Sequence, residues 1–288
     1  MLVKYKDYDY EEIYDISVLG KEEQEERIER LRRGKVKYKY KLKTIVSGKM
    51  VESELYPVYE KSCEVPRKDK EKESKESMKN LNDKNARKQI VRLVNTNFSE
   101  KDLMVTLTYT DRTYPTEKRA KQDMQNYIRR VKTYRKKHGL PDMKYIYVIE
   151  FLEPEEAART RKIRIHHHII MSGMDRDAAE DLWKKGRVEA KRLQPDDFGL
   201  EGIATYLIKG KKGKKRWYSS RNLKKPKVYE AVTRVTKRKA EKMALQPDKW
   251  REMFEKLYRD KYIMNDCEVF YSDIVGGFYL RARMRLLI

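Results

Sequence analysis

Cysteine is almost missing from this chain: Cys63 and Cys267 are the only two in 288 residues. That count leaves neither a disulfide framework nor a cysteine-based zinc site. No apolar run approaches the ~18 residues that span a bilayer. The first residues, MLVKYKDYDY, have no signal-peptide core. A phosphate-cradling G-x-x-x-x-G-K-[ST] loop is missing too, since GKKGKKRW has neither its spacing nor its hydroxyl. No internal repeat is visible. Together these absences exclude a membrane protein and a disulfide-stapled scaffold, and they predict a cytoplasmic protein without a helicase motor of its own. Apolar residues are also scarce, at 39%, and the mean hydropathy is −0.95, so a modest core lies under a heavily solvated surface.

What the chain has in excess is positive charge. Its 69 Lys and Arg against 46 Asp and Glu give +23. Such an excess favours a polyanionic partner, nucleic acid before an anionic membrane surface. The plainer reading is a generally adhesive basic protein.

Four segments follow from composition. Residues 1–65 read as an accessory region, with a charged helix at 21–34 and a strand-like alternation of Lys with Tyr, Leu and Val at 35–46 that leaves one face basic. Residues 66–85 read as a charged linker and the start of a helix. Residues 86–227 hold the main α+β domain. Residues 228–288 read as a helix (about 230–259) and two strands turning at Gly276-Gly277.

Inside the main domain the periods are clear. Ala86, Ile90, Val94 and Phe98 recur at helical spacing. LMVTLTYT (103–110) alternates Val105, Leu107 and Tyr109 with Thr106, Thr108 and Thr110, as a strand does. A helix over 116–139 has Ala120, Met124, Tyr127, Ile128, Val131 and Tyr134 as its stripe. Strands follow at 144–153 and 162–173, whose short charged connection suggests an antiparallel hairpin. A short helix over 175–186 has Asp175 as its N-cap and Gly186 at its end. A last helix spans 201–210, ended by Gly210.

The strand at 162–173 carries the chemistry. Side chains alternate between faces, so His166 and His168 project together while His167 sits in an apolar stripe with Ile165 and Ile169. Two imidazoles at i and i+2 can share a metal ion. The plainer reading is a histidine triplet satisfied by hydrogen bonds. On the preceding strand Glu150 interrupts an apolar run, a poor place for an unpaired charge. It is either salt-bridged, to Arg164 or a lysine, or the third ligand beside His166 and His168. Two imidazoles and a carboxylate leave open positions and suit Mn²⁺ or Mg²⁺, with Zn²⁺ also fitting. On the helix at 201–210, Tyr206 and Lys209 lie one turn apart beside the apolar face of Leu200, Ile203, Ala204 and Leu207. A cation one turn from a phenol suits a tyrosine nucleophile; the alternative is a tyrosine packed at a helix rim.

In their order, VTLTYT, then IE, then HHH with His166 and His168 as the H-x-H pair, then Tyr206-x-x-Lys209, these motifs resemble the HUH endonucleases, in particular rolling-circle replication initiators. The resemblance covers about 86–225, and RWYSSRNLKKP (216–226) is similar to a stretch that follows the tyrosine in such initiators. It implies an α+β fold, an antiparallel β-sheet flanked by helices with N- and C-terminal appendages, and residues 105–109 on a central strand. It implies His166, His168 and Glu150 as ligands of a divalent ion, with Glu153 the substitute for Glu150 because the Glu150–His166 spacing is long. Tyr206 would be the nucleophile, partnered by Lys209. With no second tyrosine three or four residues on, the single-tyrosine class is implied, and a 5′-phosphotyrosyl intermediate with it.

Residues 209–227 hold ten Lys or Arg and no acid. With Arg164, they supply the expected contacts to single-stranded DNA: Lys211, Lys212, Lys214, Lys215, Arg216 and Arg221 for phosphates, Trp217 and Tyr218 for stacking. A solvated basic loop is the alternative. The expected partners are an origin single strand, a host polymerase and a host helicase. A mobilisation relaxase or single-tyrosine transposase shares the chemistry. Rivals from other classes are a non-catalytic nucleic-acid-binding protein and a hydrolase that uses activated water.

Overall fold

A computed structural model describes residues 38–59, 76–110, 115–150, 165–209, 217–232, 235–258, 261–272 and 277–287. The helix expected at 21–34, most of the linker, Arg164, Glu153, Gly210, Gly276 and the run Lys211, Lys212, Lys214, Lys215 and Arg216 lie outside the described residues.

The strands are β1 (Tyr38–Ser47), β2 (Met50–Tyr59), β3 (Leu103–Thr108), β4 (Tyr145–Glu150), β5 (His166–Met171), β6 (Val188–Arg192), β7 (Tyr218–Ser219), β8 (Lys227–Val232), β9 (Tyr262–Ser272) and β10 (Gly277–Leu286). The helices are α1 (Glu76–Asn97), α2 (Glu117–Lys137), α3 (Arg176–Asp181), α4 (Glu201–Leu207), α5 (Lys237–Ala244) and α6 (Pro247–Tyr258). The strands make two five-stranded antiparallel sheets, β8-β1-β2-β10-β9 and β6-β3-β5-β4-β7. With helices packed against them, the fold is α+β. Contacts divide the chain into two compact units. One comprises residues up to 92, 197–199 and 226 onward; the other comprises 93–196 and 200–225.

In the first unit, Ser47 pairs with Met50, so β1 and β2 join through a two-residue loop whose Gly48 takes φ 62°. One sheet face buries Tyr40, Val51, Leu55, Leu280, Ala282 and Met284 against Ala240 and Phe254 of α5 and α6. The other face is covered in part by charge. Arg92 of α1 donates to both carboxylate oxygens of Glu52, at 2.8 and 2.7 Å, and lies 3.6 Å from Glu54, which also faces Lys43 at 3.7 Å. Strands from the N-terminal region and from 228–288 thus share one sheet. The single helix expected over about 230–259 is replaced by β8 and two helices. Pro247, which has no amide hydrogen, begins the second of them, the position where that loss costs nothing.

In the second unit, Leu103, Val105, Leu107, Tyr147, Ile149, Ile169 and Met171 pack on Ala120, Met124, Tyr127, Ile128 and Val131 of α2. The hairpin expected from 144–153 and 162–173 is present as β4–β5, with Val148 opposite His168 and Glu150 opposite His166. Asp175 caps α3 by accepting from the Ala178 amide at 2.8 Å. That helix stops at Asp181, short of Gly186, because Trp183 turns inward, 1% exposed, and donates to the Thr108 carbonyl at 3.1 Å. Gly186 has a different use from the helix end expected of it. It takes φ 156°, and a Cβ there would run into that same carbonyl oxygen.

Candidate active site

The central strand β3 lies between β5 and β6, and its alternation sorts the site. Thr106 pairs with His168 and Thr108 with His166. In these pairs Oγ1 of Thr106 is 3.2 Å from Nδ1 of His168, and Oγ1 of Thr108 is 3.0 Å from Nδ1 of His166. Each hydroxyl fixes its ring. With Nδ1–H donating to the threonine oxygen, each Nε2 presents its lone pair. The two rings are nearly parallel, 25° apart, with centroids 6.2 Å from each other. On the neighbouring strand, Glu150 Oε2 is 3.3 Å from Nε2 of His168.

His167 points the other way, as its place in the stripe predicts. It is fully buried, its Nε2 lies 3.1 Å from the Tyr109 hydroxyl, and its ring meets Trp183 edge-on. Burial, then the flanking imidazoles, push its pKa down to about 3, so it stays neutral. Tyr109 in turn donates to the buried Asp123 at 3.3 Å, and burial followed by that carboxylate raises its pKa.

Tyr206 reaches the histidine pair from α4. Leu200, Ala204 and Leu207 of that segment are buried while Tyr206 is 57% exposed, so the helix presents the phenol at its rim. The ring approaches His168 edge-on at 75°, centroids 5.5 Å apart. Lys209 follows the helix, exposed, its amide donating to the Tyr206 carbonyl at 3.1 Å. The start of α4 is held from α1, where Oδ1 of Asn95 accepts from the Leu200 amide at 2.8 Å. The same helix fixes the chain further past the tyrosine. Asn97 donates to the Lys224 carbonyl and accepts from the Lys224 amide, both at 2.7 Å.

The remaining candidates separate. Tyr218 stacks on Tyr147 (4.9 Å, 10°), a residue of the α2-side core, on the sheet face away from His166 and His168. Trp217 is half-buried and Arg221 is exposed. Thr106, Thr108 and Asn95 were not among the expected site residues. The threonines had a signal, three of them in alternation at 106, 108 and 110; Asn95 had none, because its partner lies 105 residues away.

Among the described residues, no three His, Cys, Asp or Glu side chains are gathered closely enough to hold a metal ion as they stand. The donors themselves fit one: two imidazoles with oriented Nε2 atoms, hydroxyls behind them, and a carboxylate beside the pair.

Residues 102–211 match a family model, that of the replication-associated protein ORF2. By this segment the chain is similar to replication-associated proteins. The match runs from just before β3 past Lys209, so Glu150, His166, His168, Tyr206 and Lys209 all lie within it. No curated protein and no solved structure matches the chain. Among the described residues no helix is long and apolar enough to cross a membrane.

Proposed function

We propose that this protein nicks and rejoins single-stranded DNA at a replication origin through a covalent bond to Tyr206, and so starts rolling-circle replication in the cytoplasm. The observation that carries this reading is the exposed Tyr206 ring set edge-on to His168, within a pair of threonine-oriented imidazoles. The similarity of residues 102–211 to replication-associated proteins supports it.

His166, His168 and Glu150 would hold a divalent ion, Mn²⁺ or Mg²⁺, which when bound polarises the scissile phosphate as a Lewis acid. The chain's own residues do the rest. The Tyr206 oxygen, giving up its proton, forms a bond to phosphorus as the bond from phosphorus to the 3′ oxygen breaks. That oxygen takes a proton and leaves as a 3′-hydroxyl, while the phosphoryl group stays on Tyr206 as a 5′-phosphotyrosyl ester. Lys209 offsets the charge on the attacked phosphate. The ester keeps the bond energy for rejoining, and the freed 3′ end primes a host polymerase. Unwinding comes from a host helicase. Arg164 and the basic residues from Lys211 to Arg221 hold the strand by its phosphates.

The test is incubation of the protein with single-stranded oligonucleotides drawn from candidate origins, with Mn²⁺ or EDTA, on a denaturing gel. Metal-dependent cleavage that disappears in Tyr206→Phe supports the reading. Cleavage retained in that variant points to activated water, and salt-sensitive binding without cleavage points to a binding protein.

A further inference from the structure

The outer face of α2 takes no part in that chemistry. Its inner residues Ala120, Met124, Tyr127, Ile128 and Val131 pack on the sheet face opposite the histidine pair. At ~100° per residue, Lys118, Gln122, Gln125, Arg129, Lys132 and Lys136 fall on one stripe pointing away from that core, and all six are exposed. From Lys118 to Lys136 the stripe runs about 27 Å at 1.5 Å per residue.

The stripe holds no acid. The two carboxylates of the helix lie off it: Glu117 pairs with Lys121, and the buried Asp123 pairs with Arg119. Among the described residues no carboxylate pairs with Lys118, Arg129, Lys132 or Lys136. The Lys132 ammonium lies 5.8 Å over the Tyr145 ring, a contact that leaves its charge in place. A helix face that serves only for solvation gains from interspersed acids, as α3 has in Asp177, Glu180 and Asp181 beside Arg176. Here Lys132 and Lys136 stand at i and i+4, and Arg129 and Lys132 at i and i+3, so like charges repel along the helix. A polyanion laid along the stripe removes that repulsion.

The stripe itself has no aromatic side chain, so it offers no platform on which unpaired bases could stack. What it offers is a row of cations on a rigid rod, suited to a duplex that carries one charge per ~1.7 Å of its axis. We propose that the outer face of α2 is a second nucleic-acid surface, which holds duplex DNA by its phosphates without reading sequence. The sheet then separates two DNA contacts, a duplex on the α2 side and a single strand on the histidine side.

The experiment compares the full chain with a Lys118→Gln, Arg129→Gln, Lys132→Gln, Lys136→Gln variant. A control variant removes the same charge elsewhere, at the exposed Lys184, Lys185, Lys249 and Lys256, each to Gln. Fluorescence anisotropy measures binding of a short random duplex, and of an oligothymidylate of equal length, across a salt series. Glutamine is a good helix former, so the helix is kept. The stripe variant is expected to lose at least about tenfold in duplex affinity, with the log Kd–log salt slope shallower by about 3. The control and oligothymidylate binding should change about twofold or less. Unchanged duplex binding overturns the proposal. So does an equal loss in the control, which would mean bulk charge, or an equal loss on oligothymidylate, which would mean a single-strand surface. Should the fourfold variant lose its helical signal, Lys132→Gln with Lys136→Gln replaces it, with a slope change of about 1–2. None of these readouts needs metal or cleavage, so they stand or fall apart from Tyr206.

Discussion

The Tyr206 ring meets the His168 imidazole edge-on, 5.5 Å between centroids, with Thr106 Oγ1 on the far nitrogen of the same imidazole. Nucleophile, candidate ligand and orienting hydroxyl therefore come from α4, β5 and β3, three elements far apart in the chain. Each can be altered singly.

The threonine hydroxyls are the first targets. Thr106→Val or Thr108→Val keeps the β-branched shape that the strand favours and removes only the group on Nδ1. The Mn²⁺ concentration for half-maximal cleavage should rise about 10–100-fold, with circular dichroism unchanged. Unchanged metal dependence would mean the hydroxyls do not orient the rings.

Asn95 tests how α4 is placed. Asn95→Ala leaves the buried Leu200 amide without its acceptor, an expected loss of about 1–3 kcal/mol. Thermal unfolding should report it as a drop of about 2–4 °C for each kcal/mol lost. The cleavage rate should fall as well, and Asn95→Asp, which retains an acceptor oxygen, should recover most of both.

Gly186 tests the close approach at the end of β3. Gly186→Ala puts a Cβ against the Thr108 carbonyl at a φ that L-residues avoid. The loss should exceed about 1 kcal/mol in urea unfolding. Because Thr108 also carries the hydroxyl on His166, metal-dependent cleavage should weaken with it.

The buried ion network of the first unit predicts acid sensitivity. Burial raises the Glu52 pKa, but the charge and hydrogen bonds of Arg92, with Arg281 behind them, outweigh it and bring it from 4.5 to about 2. A folded pKa below the unfolded one gives stability that is complete above pH ~4.5 and is lost as pH falls toward 2. Glu52→Gln removes this part. The stability gap between wild type and variant should shrink by about 3 kcal/mol from pH 6 to pH 2. A gap independent of pH would contradict the assignment.

The second unit was the more legible in sequence. The alternation of Val105 and Leu107 with Thr106 and Thr108 placed β3, and the isoleucines around the triplet sent His167 inward and His166 and His168 outward. Here one sheet face is apolar and the other carries the polar site, so the period of two survives. The first unit hid more. Both faces of its sheet are covered, one by apolar packing and one by Arg92 with Glu52 and Glu54, so residues buried as ion pairs read as surface charge. Lys43, expected on a solvated basic face, is 1% exposed. The pairings of β1 with β8 and of β2 with β10 join residues roughly two hundred positions apart, and no local pattern announces them. Asn95 was hidden for the same reason, its partner being distant in the chain.

The most direct measurement of the central claim is where a label goes after cleavage. A single-stranded origin oligonucleotide carrying a label at its 3′ end is incubated with the protein and Mn²⁺ and run under denaturing conditions. The account predicts a protein band that carries the 3′ label, absent with EDTA and in Tyr206→Phe, while a 5′ label is released on a fragment ending in a 3′-hydroxyl. A labelled protein band that persists in Tyr206→Phe, or cleavage with both labels free, would contradict it.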